Sequence, residues 1–450
     1  MPVPSPVEPS SPCPRGALPV ALLLLLLACP AFALQPLSEF LRGAREANLD
    51  ARAAALAVAQ QEGESLASLG RTLPSFSARG TYTRNQFESK IDASQFLPPG
   101  APAGGDTSLV IQPLNQLDAY LQLDVPLLDA AAWARLSAQH AGERAARQRE
   151  SSTLLDVQRQ VVRSYYQLVG AEALAESARR SLAAAEENLS LVRTRREGGV
   201  AMDLDVNRAE AEVARAHQSF SDAELTAELA RRSLRTLTGL PPSGVAAAAP
   251  DDLREEAPLE TFEQGAAGNA LPQVAAAAEQ RRSAEAAALA AHLAFLPQVS
   301  ASATEHFTNA TGFTGRSSLY VLAANLRWQL DLATLGTARA QVAAAEAARA
   351  REASARQAAL DGLHEAWFRV HNGIARSRAA RAAATSAQAA VARARERSRQ
   401  GAGTQLELIQ AERDAFSAEV SRLQADADLS YARAALRLQA GHPLDEGTSK

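Results

Sequence analysis

The chain has 450 residues, of which 47% are apolar, 21% charged and 5% aromatic. Forty-six basic residues against 50 acidic ones leave a formal charge of −4, which excludes the basic face or stripe of a nucleic-acid binder. The two cysteines, Cys13 and Cys29, both precede residue 34, so the remainder holds neither a disulfide framework nor a cysteine zinc site.

Arg15 precedes an apolar run from Leu18 to Ala28, and Ala31-Phe32-Ala33 offers small residues for cleavage, so 1–33 reads as a secretory signal peptide. The run is too short to span a bilayer as a helix. Leu26-Leu27-Ala28-Cys29 allows a second reading, a lipobox in which Cys29 carries lipid, although Pro30 counts against it. Either way the mature chain is exported, and no later segment is apolar enough for a transmembrane helix.

Beyond residue 33 the chain repeats one pattern. The first copy, 34–239, holds a helix over 37–72, strands near 75–86 and 114–127, and helices over 130–196 and 203–238. A Pro-rich seam from Gly239 to Pro258 lies in a linker, 240–269. The second copy, 270–442, repeats the order with a helix over 270–295, strands near 297–308 and 317–331, and helices over 333–398 and 404–440; 443–450 is a tail. Leu73-Pro74 and Leu123-Asp124 in the first copy correspond to Leu296-Pro297 and Leu330-Asp331 in the second. The first copy carries an extra loop, Leu97 to Asp106.

The strand segments alternate strictly, which gives each two different faces. Leu117, Leu121 and Leu123 oppose Gln116, Asp118 and Gln122; Leu322, Leu326 and Trp328 oppose Asn325, Arg327 and Gln329. An apolar face free of charge suits lipid and a polar face suits a watery lumen, with Trp328 at the interface. Four strands cannot close, and an open edge is not tolerated in lipid, so several chains must share one barrel. Two chains give eight strands and a filled interior; three give twelve and leave a pore.

Segments 130–196 and 333–398 lack proline, and as helices each spans about 100 Å. Helices 203–238 and 270–295 together match the first in length, and 404–440 and 37–72 match the second. Each long helix is therefore expected to pair with two short ones stacked end to end, with the junctions forming a belt partway along a helical tube.

At this point the residues resemble the outer membrane efflux proteins, the TolC family. The resemblance rests on Leu-Pro before each strand pair, on Leu-Asp at the return strand, and on Arg195 to Glu210 and Arg397 to Glu412, each R-x-x-x-G followed by an acidic-apolar pair and Ala-Glu. An L-x-x-x-x-G then ends at Gly239 or Gly441. The resemblance implies a mainly α fold with transmembrane β: a homotrimer whose twelve strands form an outer membrane barrel over a periplasmic helical tube. It implies a passive exit duct for a tripartite efflux pump or type I secretion system, docked to a periplasmic adaptor and an inner membrane transporter. The functional residues it implies lie at the tips, 197–205 and 400–410. Glu407 and Gln410 stand where relatives carry two acids ringing the entrance, and a ring of Glu407 carboxylates would favour cations. Asp205, Gly198 and Gly401 mark the turns, where Gly198, Gly199, Gly401 and Gly403 are expected to supply positive φ, and the exposed tips are the expected adaptor contact. Arg393, Arg397 and Arg399 are candidate tethers of a closed tip.

No cofactor or catalytic motif is present. His364-Glu365 starts like a zinc helix, but Phe368 stands where the second histidine belongs, and Asp203-Leu204-Asp205 sits at a helix start, where acids are expected anyway. The competing reading is a periplasmic coiled-coil structural or adaptor protein whose strands form a soluble sheet.

Overall fold

The structure, a computed structural model, describes residues 34–92, 108–244, 252–266, 271–442 and 444. The expected signal peptide with Cys29, the loop Leu97 to Asp106 and most of the tail lie outside these residues.

Two helices dominate, α3 (Ala130–Glu197) and α7 (Leu332–Arg399), each of 68 residues. Both open on an aspartate that caps the free N–H groups of the first turn. Asp129 accepts from the Ala132 amide at 2.8 Å, and Asp331 accepts from the Thr334 amide at 2.7 Å. The capping role corrects one repeat landmark. Leu128-Asp129, not Leu123-Asp124, corresponds to Leu330-Asp331; Asp124 lies inside a strand and accepts from the Gln122 amide.

Shorter helices pack alongside. The segment expected as one helix over 37–72 is two, α1 (Leu37–Ala47) and α2 (Leu49–Gly70). Asn48 breaks it: its backbone is extended, and its Oδ1 accepts from the amides of Asp50 and Ala51 at 2.9 and 3.2 Å. After α3 come α4 (Asp203–Thr238), a short α5 (Leu259–Ala266) inside the linker, and α6 (Pro272–Leu293). Helix α8 (Gln405–Gln439) follows α7. Within the chain α2 lies on α3, not on α7 as the lengths suggest: Gln61 Nε2 donates to Gln139 Oε1 at 2.9 Å, and Ser65 Oγ meets His140 Nδ1 at 3.1 Å. Helix α6 sits between α3 and α7, and α8 packs on both α7 and α3, joining the two copies.

Large apolar side chains cluster near the belt. Phe40, Val161, Leu168, Leu234 and Leu438 bury together, as do Leu363, Val370, Leu429 and Leu436. Elsewhere the interfaces bury alanine, as at Ala145, Ala178 and Ala209.

Strands β1 (Ser75–Arg84), β4 (Asn115–Leu128), β5 (Gln298–Thr308) and β6 (Ser318–Arg327) form an antiparallel sheet in the order β1-β4-β5-β6. A separate hairpin of β2 (Ser89–Asp92) and β3 (Ser108–Gln112), on either side of the expected loop, extends the first strand pair and was not expected. Its residues are short and mixed in polarity, so alternation did not mark it. Strand β6 ends at Arg327, and Trp328 follows it with its indole donating to the Phe295 carbonyl at 3.0 Å.

Register fixes the two faces. Leu123 lies opposite Phe76 and Ala303, and Ala303 opposite Leu322, on one surface with Leu326. That surface is not free of charge, contrary to expectation. Glu305 lies on it, opposite Leu121 and Tyr320, and accepts a hydrogen bond from the Ser318 hydroxyl. The other face carries Arg79, Tyr120 and His306 in one row. The Arg79 guanidinium sits 5.2 Å from the Tyr120 ring centroid, Tyr120 stacks on His306 at 4.2 Å, and His306 Nε2 reaches Asp118 at 2.9 Å. Tyr120, a break in the polar alternation of β4, thus packs within its own face.

Candidate functional site

The two helical hairpins end in the same turn, far from the sheet. At the first, the Arg195 carbonyl accepts from the Val200 amide at 2.8 Å; at the second, the Arg397 carbonyl accepts from the Ala402 amide at 2.9 Å. Only one glycine in each turn needs the left-handed region, Gly199 at φ 76° and Gly401 at φ 74°. Gly198 caps α3 at φ −76°, so its expected positive φ is not found. Gly403 serves close approach instead: a Cβ there would meet the Arg397 Cβ at 3.1 Å and the Ser398 amide nitrogen at 3.2 Å.

Glu407 stands in the first turn of α8, half exposed, where its amide donates to Thr404 Oγ1 at 3.2 Å. Its carboxylate faces the local helix dipole and lies 3.8 Å from Arg397 Nη2. Gln410 is exposed one turn on. Asp205 is part-buried at the start of α4, and its Oδ2 accepts from the Met202 amide at 3.5 Å. Asp203 pairs with Arg196 at 2.6 Å, which accounts for the D-x-D acids without a metal. Val200, Met202 and Leu204 project at the first tip and Leu406 at the second.

The residue that joins the two tips is Arg195, which the sequence reading passed over. Its guanidinium donates to the Ser398 carbonyl at 3.0 Å and to Ser398 Oγ at 3.4 Å. Its position in the first copy matches that of Arg397 in the second, a correspondence the repeat itself shows. Of the three proposed tethers, only Arg397 makes an ion pair among the described residues. Equivalent braces hold each hairpin: Arg193 to Glu210 at 2.7 Å, and Arg395 to Glu412 at 3.0 Å. Arg413 crosses to Glu212 at 2.5 Å, linking the second copy to the first. Burial raises the Glu412 carboxyl above its ordinary range, the Arg395 contact opposes this, and the nearby Glu212 and Glu187 add to the rise.

Truncating Arg195 removes the direct tie between the tip turns found among the described residues. Arg195→Ala is expected to raise and destabilise single-channel conductance in planar bilayers, while Arg399→Ala, which removes no ion pair found among the described residues, leaves it near wild type. Equal traces for the two variants would show that the tie does not restrain the tip.

At the belt, residues 252–266 strap across α7 and α8. Arg433, buried, binds Glu256 and the Arg254 carbonyl. The Trp367 indole donates to the Ala257 carbonyl at 3.0 Å, and His364 Nε2 meets Glu263 at 2.5 Å. His371 stacks on Trp367 at 5.5 Å, so neither histidine of the apparent zinc helix is left facing an open ligand position. Among the described residues no cluster of metal-ligating side chains occurs.

A side-chain hydrogen bond from Arg254, with a backbone bond and the Arg433 charge, holds the Asp252 carboxyl at about 2. Because that value is depressed, the strap gains stability above the ordinary carboxyl range and loses it as pH falls through about 2. Trp367 emission is expected to stay constant down to about pH 4 and to move to a wetter wavelength between there and about pH 2. Arg433→Ala should show the wetter emission already at neutral pH. A flat profile in the wild type through that window would show that Asp252 does not pin the strap.

A sheet with two open edges, hairpin tips at the far end and a long helical wall between define one strip of a membrane-seated duct. The sequence model of the outer membrane efflux proteins matches residues 40–240 and 266–442. The chain belongs to the outer membrane efflux protein family, and it is an outer membrane efflux channel that extends into the periplasm. Among solved structures, the outer-membrane channel OprN is 22% identical with a TM-score of 0.72, the match covering 90% of each chain. The Campylobacter jejuni CmeC outer membrane channel is 16% identical with a TM-score of 0.76, over 96% of this chain and 94% of that one. The open state of the Neisseria gonorrhoeae MtrE channel is 20% identical with a TM-score of 0.73, over 93% and 92%. These likenesses share the fold. A search of curated proteins returned no match.

Proposed function

We propose that three copies assemble into one duct, closing a twelve-stranded barrel above a helical tube, and that the duct passively carries what an inner membrane transporter delivers through a periplasmic adaptor. The observation that carries this reading is the pair of unpaired, oppositely directed edges, β1 and β6, on a sheet whose outer surface is apolar over most of its length. In lipid such edges must pair, and β6 of one copy against β1 of the next continues the antiparallel order. Helices support the same closure. Among the described residues α2 packs on α3 rather than along α7 as the lengths ask, yet both helices expose apolar residues at heptad spacing, Leu49 and Leu56 on α2, Leu335 and Val342 on α7. A neighbouring copy supplies the missing contact.

In this reading Leu121, Leu123, Leu322, Leu326 and Trp328 face lipid. Glu407 and Gln410 line the entrance, the turns around Gly198, Gly401 and Asp205 receive the adaptor, and Cys29 is the residue to examine for lipid. The test is the native mass of protein extracted by detergent from the membrane fraction. A trimer is expected. A monomer or dimer released without detergent would overturn the shared barrel and favour the periplasmic scaffold.

A further inference from the structure

Along the belt, one face of the helical wall is hollowed into a continuous trough. Two adjoining cavities, about 540 and 800 Å³, share Arg369, Asp428 and Tyr431. Three elements say which side this is. On α7, Trp367 binds the strap and Arg369 stands two residues on, about 200° around the helix. On α8, Arg433 binds the strap while Tyr431, two residues earlier, lines the trough. On α3, Tyr165 meets Phe40 of α1 at 5.9 Å between ring centroids, while Arg163, two residues earlier, lines the trough. The trough therefore lies opposite the strap and α1. It spans α7, α8, α3 and α4, and the duct reading, with the strap and α1 outside, makes this face the inner wall.

Its chemistry is two-sided. Arg159, Arg163, Arg369 and Arg376 present guanidinium groups, while Tyr166, Tyr431 and Leu229 present ring and aliphatic surface. Gly170, Gly362 and Gly373 let the helices approach closely: a Cβ there would meet Ala427, Gln439 or Leu429 of α8 at 3.1, 2.7 and 3.2 Å respectively. Three carboxylates offset three of the arginines: Asp156 on Arg159 at 2.8 Å, Glu365 on Arg369 at 2.6 Å and Asp428 on Arg376 at 3.4 Å. Arg163 is exposed and makes no ion pair among the described residues, and the Arg159 Nε, although buried, has no acceptor. An exposed guanidinium beside ring and aliphatic surface is ready to donate a charge-assisted hydrogen bond to an incoming acidic group.

We propose that this trough is a subsite of the inner wall for amphipathic organic anions, the acidic head on Arg163, Arg159 and Arg369 and the apolar body on Tyr166, Tyr431 and Leu229. It rests on the duct reading for its placement in the transport path and adds a substrate class to it.

The test is calorimetric binding of naphthalene-1-sulfonate to the full chain in lipid nanodiscs, with empty discs as blank. Saturable binding is expected, weakened about tenfold or more in Arg163→Gln/Arg369→Gln and largely kept in Arg163→Lys. Naphthylmethylammonium and inorganic sulfate should each bind far more weakly. No saturable binding, equal binding of the cation, sulfate binding as tightly as the naphthyl probe, or an unchanged double variant would overturn the proposal. Such a failure leaves the detergent-extracted trimer intact, whereas failure of the duct reading shows as its absence.

Discussion

Leu322→Arg is expected to remove the protein from the outer membrane fraction almost completely. Leu322 is central in β6, 73% exposed in the single chain, and lies opposite Ala303, which offers no charge to pair with. An arginine at mid-bilayer depth costs about 2–4 kcal/mol per chain, and every copy in a shared barrel bears that cost. Leu121→Arg is expected to be milder. Its cross-strand neighbour is Glu305, and an opposite charge directly across an antiparallel pair recovers part of the penalty. The amount of oligomer in the outer membrane fraction reads both variants. Wild-type yield for Leu322→Arg would sink the assignment of that face to lipid, and equal loss for the two would mean that Glu305 does not share it.

Asp426→Leu should lower the apparent melting temperature of the helical wall more than any surface charge change. The Asp426 side chain is 4% exposed between α7 and α8. It accepts from Ser377 Oγ at 2.5 Å, Arg381 Nε at 3.0 Å, Arg381 Nη2 at 2.9 Å and Arg422 Nη1 at 3.1 Å. Its loss removes all four of these bonds from a buried site, and breaking a buried ion pair of this kind costs about 3–5 kcal/mol. Asp428→Ala, one helical step away but 65% exposed, should change little. The helical circular-dichroism signal, scanned at one fixed heating rate, separates these outcomes. If Asp426→Leu melts with the wild type, the network does not hold the two helices in register.

Much of this architecture was legible because it is written in periodicity. Two-residue alternation exposed the four strands, long proline-free stretches exposed α3 and α7, and duplication exposed the matching tips. Misreadings came where a side chain acts on the backbone or where distant segments meet. Asn48 splits a helix by bonding two amides, which a run of helix formers conceals. Leu123-Asp124 imitated a landmark that belongs to Leu128-Asp129, because only the capping bond tells them apart. Glu305 was skipped among apolar neighbours, and only strand register shows that it shares their face. At the candidate site, the turns were plain from glycine and spacing. Arg195 was not: it acts on a carbonyl some 200 residues away in sequence, among many arginines of similar setting.

The alanine-filled helix contacts carry a consequence for how this wall tolerates change. In an ordinary core, truncation is the dangerous direction, because it leaves a void. At Ala145, Ala178 and Ala209, all almost fully buried, there is nothing left to truncate. The vulnerable direction is enlargement: an added isobutyl group pushes two backbones apart at a typical cost of about 1–3 kcal/mol. Along a rod of 68 residues a local splay is also levered outward, so a bulky substitution midway would misplace a tip that it never touches. At these alanine contacts the mutational profile is thus inverted relative to a globular core, more sensitive to gain than to loss.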